Sequence, residues 1–541
     1  FVLALAVIAL VGMIAPGAYA QAPAAPAPTF TITGFIDTIN SASHNLRETN
    51  FTRVGDKEWY TRNRGIFEIA GKVGKATGVL RLEIDTAWGQ VSGSDNNVVT
   101  GAAAVGTAQR AATTSGFDLN TDTQGSIEVK WLYVEYDVPL VPFPTRMRIG
   151  AQAFATTYKL ATLATGDFAG VNLVTTWAPN VKSNFTYVQI EEEVTGGSTG
   201  GTGATAFVRG DDFAIITSLE VTPIKGLDLR PTYAVLWAQG ATHGNARVGV
   251  GGIPGAGGTP LFVAKPVGMG GVATHEEWRH TIGIDSRWRS GPISIEPTFF
   301  YQFGTREIDN PFINAAAATV GSQPLIRESD ISAWLFDVKA GYRVGPVLLE
   351  ARYMYTSGNR PMDQLSNDTN YYQPINTDTS YGADGWGNIL ALGTDYFNGA
   401  FRTLGAGIGL DRYGRQQFGF KGTYSVSPAL DIYGVVMPAW TAKSVDTDGT
   451  YAAAAINCST HSANSMAQPR GAGCRGDSSY IGTEADLGLT WRFAPGLTFD
   501  LVGAYLFAGD ALDTSEVRNG VLTRRDAKDV YTGAARVRFS F

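Results

Sequence analysis

The chain has 541 residues, a net charge of −7 and two cysteines, with 65 glycines and 11% aromatic residues. The acidic balance and the lack of any basic run exclude nucleic acid as its natural partner. After residue 20 no uncharged run is long enough for a membrane helix, so a membrane role would have to be built from strands.

Residues 1–20, FVLALAVIALVGMIAPGAYA, carry no charge and end on Ala18-Tyr19-Ala20, the pattern of a secretory signal and its cleavage site. Pro16, two glycines and the lack of a positive flank weigh against a retained membrane helix. Residues 21–29, QAPAAPAPT, read as an extended Ala/Pro linker. Residues 30–541 form the remaining unit.

From residue 30 the chain alternates. In GVLRLEIDTAW, Leu80, Leu82, Ile84 and Trp88 share one face, while Arg81, Glu83 and Asp85 share the other. Period-two alternation is the mark of a strand with one apolar and one polar side. The pattern predicts strands over 30–38, 63–74, 76–88, 125–138, 145–156, 168–178, 181–191, 210–222, 227–238, 276–290, 292–303, 328–344, 346–357, 414–427, 429–441, 480–493, 497–508 and 527–541. In SIEVKWLYVEYDV the outward row 127, 129, 131, 133 runs into Glu135, which either lies at the interface or marks a bulge.

The connections sort by length. Turns such as VGKA, TPIKG, RSGP and FAPG alternate with long segments such as 89–124, 239–275 and 358–413. Such sorting predicts an all-β, transmembrane antiparallel β-barrel of eighteen strands, with tight periplasmic turns and long outer loops. Aromatic spacing agrees. Trp278 and Trp288 share the apolar row, ten residues apart, or ~33 Å along a strand and ~25 Å after tilting, the height of a barrel's apolar band. Tyr531 and Phe541 repeat the spacing in the last strand.

Other features carry less. Cys458 and Cys474 lie in one outer loop, and in an exported protein this predicts a disulfide; with His461 they make a poor metal site. DTDG at 446–449 lacks the spaced acids of a calcium loop. GAGIG at 405–409 has no strand–helix context for phosphate. The five histidines stand at no recognisable spacing from a serine and an acid, so no catalytic site is predicted, and no cofactor.

A signal, strand alternation and the C-terminal RFSF together resemble Gram-negative outer-membrane porins, and the eighteen-strand plan is similar to substrate-selective porins and alginate-export-like channels. The stretch RMRIGAQAFATTYKLATLATGDFAGVNL resembles the strand–loop–strand segment of many such barrels. The acidic PEFGG-type signature of general trimeric porins is absent, and the loop 157–167, where it would sit, is short. The resemblance implies an outer-membrane location among lipid and lipopolysaccharide. It also implies a terminal Phe541 read by the insertion machinery, and it leaves a homotrimer open.

If the apolar rows face lipid, the polar rows line a lumen. Its predicted members include Arg81, Glu83, Asp85, Arg146, Arg148, Arg279, Asp285, Arg287, Arg289, Asp337, Lys339, Arg352, Arg536 and Arg538. Arg146, Arg148, Arg279, Arg287 and Arg289 form the clearest basic group. Such charges either make a track for anionic solutes or pair across strands to hold a polar wall together. The longest loop, 358–413, holds Tyr371, Tyr372, Tyr381, Trp386, Tyr396, Phe397 and Phe401; it either folds inward to narrow the lumen or packs on its neighbours. The expected function is passive diffusion of small hydrophilic solutes or ions. An export conduit for an acidic polysaccharide and a structural or adhesive barrel are the alternatives.

Overall fold

The computed structural model describes residues 26–45, 57–88, 116–117, 127–159, 162–191, 212–239, 274–309, 326–360, 369–377, 386–390, 413–445, 478–518 and 521–541. The predicted signal 1–20, most of the predicted linker, Cys458, Cys474, the 405–409 and 446–449 motifs, and Tyr381, Tyr396, Phe397 and Phe401 fall outside them.

Eighteen strands form the wall: β1 (Thr29–His44), β2 (Lys57–Val73), β3 (Ala76–Trp88), β4 (Ile127–Asp137), β5 (Thr145–Ala155), β6 (Ala164–Ala178), β7 (Val181–Glu191), β8 (Asp212–Ile224), β9 (Leu227–Gln239), β10 (Thr274–Ser290), β11 (Ile293–Asp309), β12 (Ile326–Val344), β13 (Val347–Thr356), β14 (Arg415–Ser427), β15 (Leu430–Val445), β16 (Ser478–Ala494), β17 (Leu497–Ala508) and β18 (Val530–Ser540). Each pairs antiparallel with the next, and β18 pairs with β1 from Phe35↔Ser540 to His44↔Tyr531, which closes the barrel. Closure leaves no free edge. Phe541 completes the seam: its N–H and C=O bond to the backbone of Gly34 at 3.1 and 3.0 Å, and its ring lies 5.8 Å from that of Phe67.

All eighteen strands predicted from the alternation are present. They differ mainly at their loop ends, where β1 runs on to His44, β2 starts at Lys57 and β11 reaches Asp309. There the ladder continues past the apolar belt, so backbone pairing persists where the alternation has faded. Three short additions escaped the pattern. Residues 116–117 and 376–377 each add two parallel residues, to β3 and β6, and Thr514–Arg518 pairs with Val521–Arg525 as a hairpin.

The pleat sorts the side chains. On β10, Trp278, Ile282 and Ile284 are exposed outward, while Glu277, Arg279 and Asp285 are buried inward. Aromatic rows cap the outer belt at both ends. Trp237, Trp278, His280 and Phe303 stack side by side toward the loop end, and Trp491, Phe493, Phe539 and Phe541 stand toward the turn end.

One face assignment needs correction. The β3–β4 register shifts between Arg81↔Trp131 and Leu82↔Val129. A bulge at this point takes up one residue and turns the rest of the strand over. The outward row is therefore Ile127, Val129, Leu132 and Val134, all exposed. Trp131 and Tyr133 face inward, beneath the guanidiniums of Arg81 and Arg148 at 4.0 and 4.7 Å. Glu135 belongs to the inner row, where it accepts from Arg148 at 2.8 Å.

Candidate functional site

The interior is built by two kinds of residue: charged side chains of the inner rows, and chain segments that fold in from the loop end.

Toward the turns the inner rows are charged and paired across adjacent strands. Arg536 bonds Asp500 at 2.9 Å and Arg538 bonds Asp37 through Nε at 3.0 Å; higher up, nearer the loop end of β2 and β3, Arg64 holds Asp85 at 2.7 Å and Glu83 at 3.2 Å. Arg81 lies 3.4 Å from Glu68, and Arg146 2.8 Å from Asp137. Arg287 bonds Asp228 at 2.7 Å, while Arg289 and Lys339 share Glu296 at 3.3 and 2.9 Å. Each partner stands opposite in the ladder or one step along it, so the strand register itself brings the opposite charges together. The cross-strand pairing expected of a polar wall is thus the main use of these charges. A recess of about 680 Å³ between β4 and β7 opens among Lys75, Asp137, Arg146, Arg148 and Lys182. Arg289 is the most open of the predicted basic group, with 64% of its side chain exposed.

Segments from the loop side fill the interior and reach inward as far as Arg287 and Glu296. The first inward segment, residues 157–159 and 162–163, lies between β5 and β6. The backbone N–H of Tyr158 bonds the Asp285 carboxylate, which also accepts from Thr298 Oγ1 at 2.6 Å. The Tyr158 ring lies between two guanidiniums, Arg230 at 4.1 Å and Arg287 at 4.3 Å. Lys159 reaches β11 and β12: Nζ bonds the carbonyl oxygens of Glu296 and Asp337 and lies 3.5 Å from the Asp337 carboxylate. Asp337 is also bonded by Arg352, with Nε at 2.9 Å. Lys159, Asp337 and Arg352 are all buried.

The second segment, 369–377, lies against β11 and β12. Gln302 and Gln373 exchange two bonds, Nε2 to O at 2.6 Å and Oε1 from N at 2.9 Å. Arg306 donates to Gln373 Oε1 at 2.8 Å and to Glu277 at 2.9 Å. The two segments brace each other: Tyr372 Oη bonds the carbonyl of Thr162 at 2.7 Å and Ile375 N that of Leu163 at 2.7 Å. Phe154, Leu163, Phe300, Leu335, Tyr372 and Ile375 bury one another at this junction.

The third segment, 386–390, docks on β16. Glu484 accepts from three successive backbone N–H groups, Asn388 at 2.6 Å, Ile389 at 2.7 Å and Leu390 at 2.7 Å, and Asp486 accepts from Asn388 Nδ2 at 2.8 Å. Arg415 donates to the Leu390 carbonyl. Gly387 packs closely: a Cβ there would lie 2.1 Å from Met437 Cε and 2.7 Å from Glu484 Oε2, so both side-chain ends would have to shift.

The predicted inner-row residues thus divide by depth. Arg146, Arg148, Arg287 and Arg289 lie toward the turn end. Arg279, expected among the same basic group, is 1% exposed under the second segment and lies 3.5 Å from Glu277, so it belongs to the packed interior. Of the loop 358–413, Tyr371, Tyr372 and Trp386 are inside and buried, the inward alternative. Missed altogether were Tyr158 and Lys159. The Thr-Tyr-Lys-Leu run has neither charge density nor periodicity to mark it, and its role depends on strands more than a hundred residues away.

No protein-family model matches the chain, and comparison with characterised proteins by sequence found no match. Among solved structures the chain is similar to OccK8 (OprE) of Pseudomonas aeruginosa, at 12% identity and a TM-score of 0.45 over 95% of this chain and 98% of that one. It is similar also to the outer membrane protein OprD of the same organism, at 10% identity and 0.43 over 94% and 93%, and to its OccK5 (OpdH), at 9% and 0.43 over 94% and 98%.

Proposed function

We propose that the protein is an outer-membrane channel for passive diffusion of small hydrophilic solutes or ions, with its lumen narrowed from the loop side. The carrying observation is the inverted polarity of a closed barrel. Large apolar side chains cover its outside between two aromatic rows, and paired charges line its inside. That distribution fits lipid outside and water within. An eighteen-stranded wall is wide enough to need filling, and residues 157–159, 162–163, 369–377 and 386–390 supply it. Inward segments fixed by buried bonds favour a narrow passage for small solutes over a wide conduit for a polymer. Because the wall charges are paired, ion preference comes from the more open cations of the wall, such as Arg289 and Arg492, and from the arginines around Tyr158. In this reading the outer surface meets membrane lipid and lipopolysaccharide, and Phe541 serves the insertion machinery.

Single-channel conductance of the purified full chain in a planar bilayer, under a salt gradient, tests the proposal. Steady conductance with a measurable reversal potential is expected. A barrel that inserts and never conducts would overturn the diffusion reading in favour of a surface or partner-gated barrel.

A further inference from the structure

At the turn end of the lumen one connection differs from the rest. Every other turn-side connection has two residues, while 138–144, between β4 and β5, has seven. Its tip, Leu140, is 86% exposed and stands at φ 66°, a conformation that favours glycine. The base of the turn is fixed. Val138 N–H bonds the Thr145 carbonyl at 2.8 Å, Thr176 N–H bonds that of Pro144 at 2.9 Å, and the Phe143 ring lies 4.8 Å from that of Trp177. Held this way, Val138, Val141 and Phe143 give an apolar side to the recess of about 680 Å³ between β4 and β7.

The rest of the lining is charged, and the charges do not balance. Lys75, Arg146, Arg148 and Lys182 face Glu135 and Asp137. Arg146 bonds both acids, at 2.5 and 2.8 Å, Arg148 bonds Glu135 at 2.8 Å, and Lys75 lies 3.7 Å from Asp137. Lys182 is exposed and has no ion-pair or hydrogen-bond partner among the described residues. Glu220, opposite it in the ladder, is taken by Arg230 at 2.7 Å. Arg146 stands opposite Val174, and Lys182 opposite Thr176, so the two cations flank β6 at about 12 Å between Cα atoms. Their long side chains cover that gap from both sides. Arg146 also keeps N–H groups beyond those its two carboxylates use.

We propose that this recess binds an organic phosphate, with a dianionic phosphoryl group between Arg146 and Lys182 and a small apolar body against Val141 and Phe143. The inference rests on the barrel and its long turn, not on conduction. Charge selects the phosphoryl group. Four cations against two carboxylates leave two positive charges over, and a phosphate monoester brings about −1.5 to −2 on one group at neutral pH, where a carboxylate brings a single charge. Its oxygens point in several directions, so cations from two strands can meet one group. The apolar turn selects an ester over the bare ion, because inorganic phosphate would leave Val141 and Phe143 in water. The recess has the size of a small-molecule site, and a turn already fixed at its base loses little freedom on binding.

Titration calorimetry on the purified full chain in detergent tests this with phenyl phosphate, inorganic phosphate and benzoate. Phenyl phosphate is expected to bind most tightly of the three at neutral pH. Lys182→Met should weaken it about tenfold, with the heat-modifiable electrophoretic shift of a folded barrel kept, and Lys182→Arg should retain the binding. Lowering the pH to about 5 should weaken it too, because the phosphoryl group then falls below its second ionisation at about pH 6 while lysine and arginine stay charged. That measurement needs no variant, and it decides the matter if Lys182→Met fails to fold. Conductance is recorded on the same samples, so a barrel that binds phenyl phosphate and never conducts fails the diffusion reading alone. Absence of binding, benzoate or inorganic phosphate binding as tightly as phenyl phosphate, or an affinity that either change leaves unmoved would overturn the proposal.

Discussion

Lys159 and Asp337 are 178 residues apart in the chain and meet inside the barrel, ammonium to carboxylate at 3.5 Å, with Arg352 on the same carboxylate. Two cations thus share one buried anion. The contact joins a short connection between two strands to the far wall, so it ties down the first inward segment.

Removing the anion should be far worse than removing the lysine. Asp337→Ala strands Lys159 and Arg352 without a counter-charge, at a cost of about 3–5 kcal/mol. Lys159→Met leaves Asp337 with its arginine and should cost much less. Thermal unfolding in detergent, followed by circular dichroism and by the heat-modifiable shift, should rank the two in that order. Equal loss in both would mean that the triad does not hold the segment.

Gly387 and Glu484 form the second fastening. A side chain at 387 collides with Met437 and Glu484, and Glu484→Ala removes the acceptor of three backbone N–H groups. Gly387→Val and Glu484→Ala should both release residues 386–390. Single-channel conductance should rise and become noisier, while the barrel melts within a few degrees of the wild type, because the strand ladder is untouched. Unchanged conductance would place that segment off the permeation path.

Tyr158 separates Arg230 from Arg287. Tyr158→Ala should widen the passage and expose both guanidinium faces, raising conductance and moving the reversal potential toward anions. Tyr158→Phe keeps the ring and should leave both unchanged. Loss of the effect in alanine would show that the arginine pairs with Glu220 and Asp228 already neutralise the field there.

Charge reversal should behave differently at two arginines that look alike in sequence. Arg289→Glu, at an open position, should shift selectivity toward cations in a barrel that still folds. Arg279→Glu would bury a carboxylate beside Glu277 and should lower the yield of folded protein. A folded, cation-shifted Arg279 variant would contradict its burial.

Deleting Phe541 removes two backbone bonds to Gly34 and the ring contact with Phe67. The seam should lose about 1–3 kcal/mol. The protein should also reach the outer membrane in smaller amount, as seen by fractionation. Phe541→Trp should restore most of both.

The sequence by itself determined the eighteen strands, their order and the outward rows. These follow from alternation at period two and from turn lengths, both of which are local and are repeated strand after strand. It failed locally at Trp131, where one extra residue in β4 reversed the face of all that followed; Glu135, out of phase with its row, was the visible trace. Which interior was open and which was filled could not be read this way. Residues 157–159, 162–163, 369–377 and 386–390 lack periodicity, and these segments are held by wall groups such as Asp285, Gln302 and Glu484 that lie far away in sequence. Arg279 and Arg289 carry the same pattern and the same chemistry, yet one is sealed beneath a folded segment and the other stands at an open mouth. Tertiary structure alone decided these points, because closing the wall brings distant strands within reach of a loop.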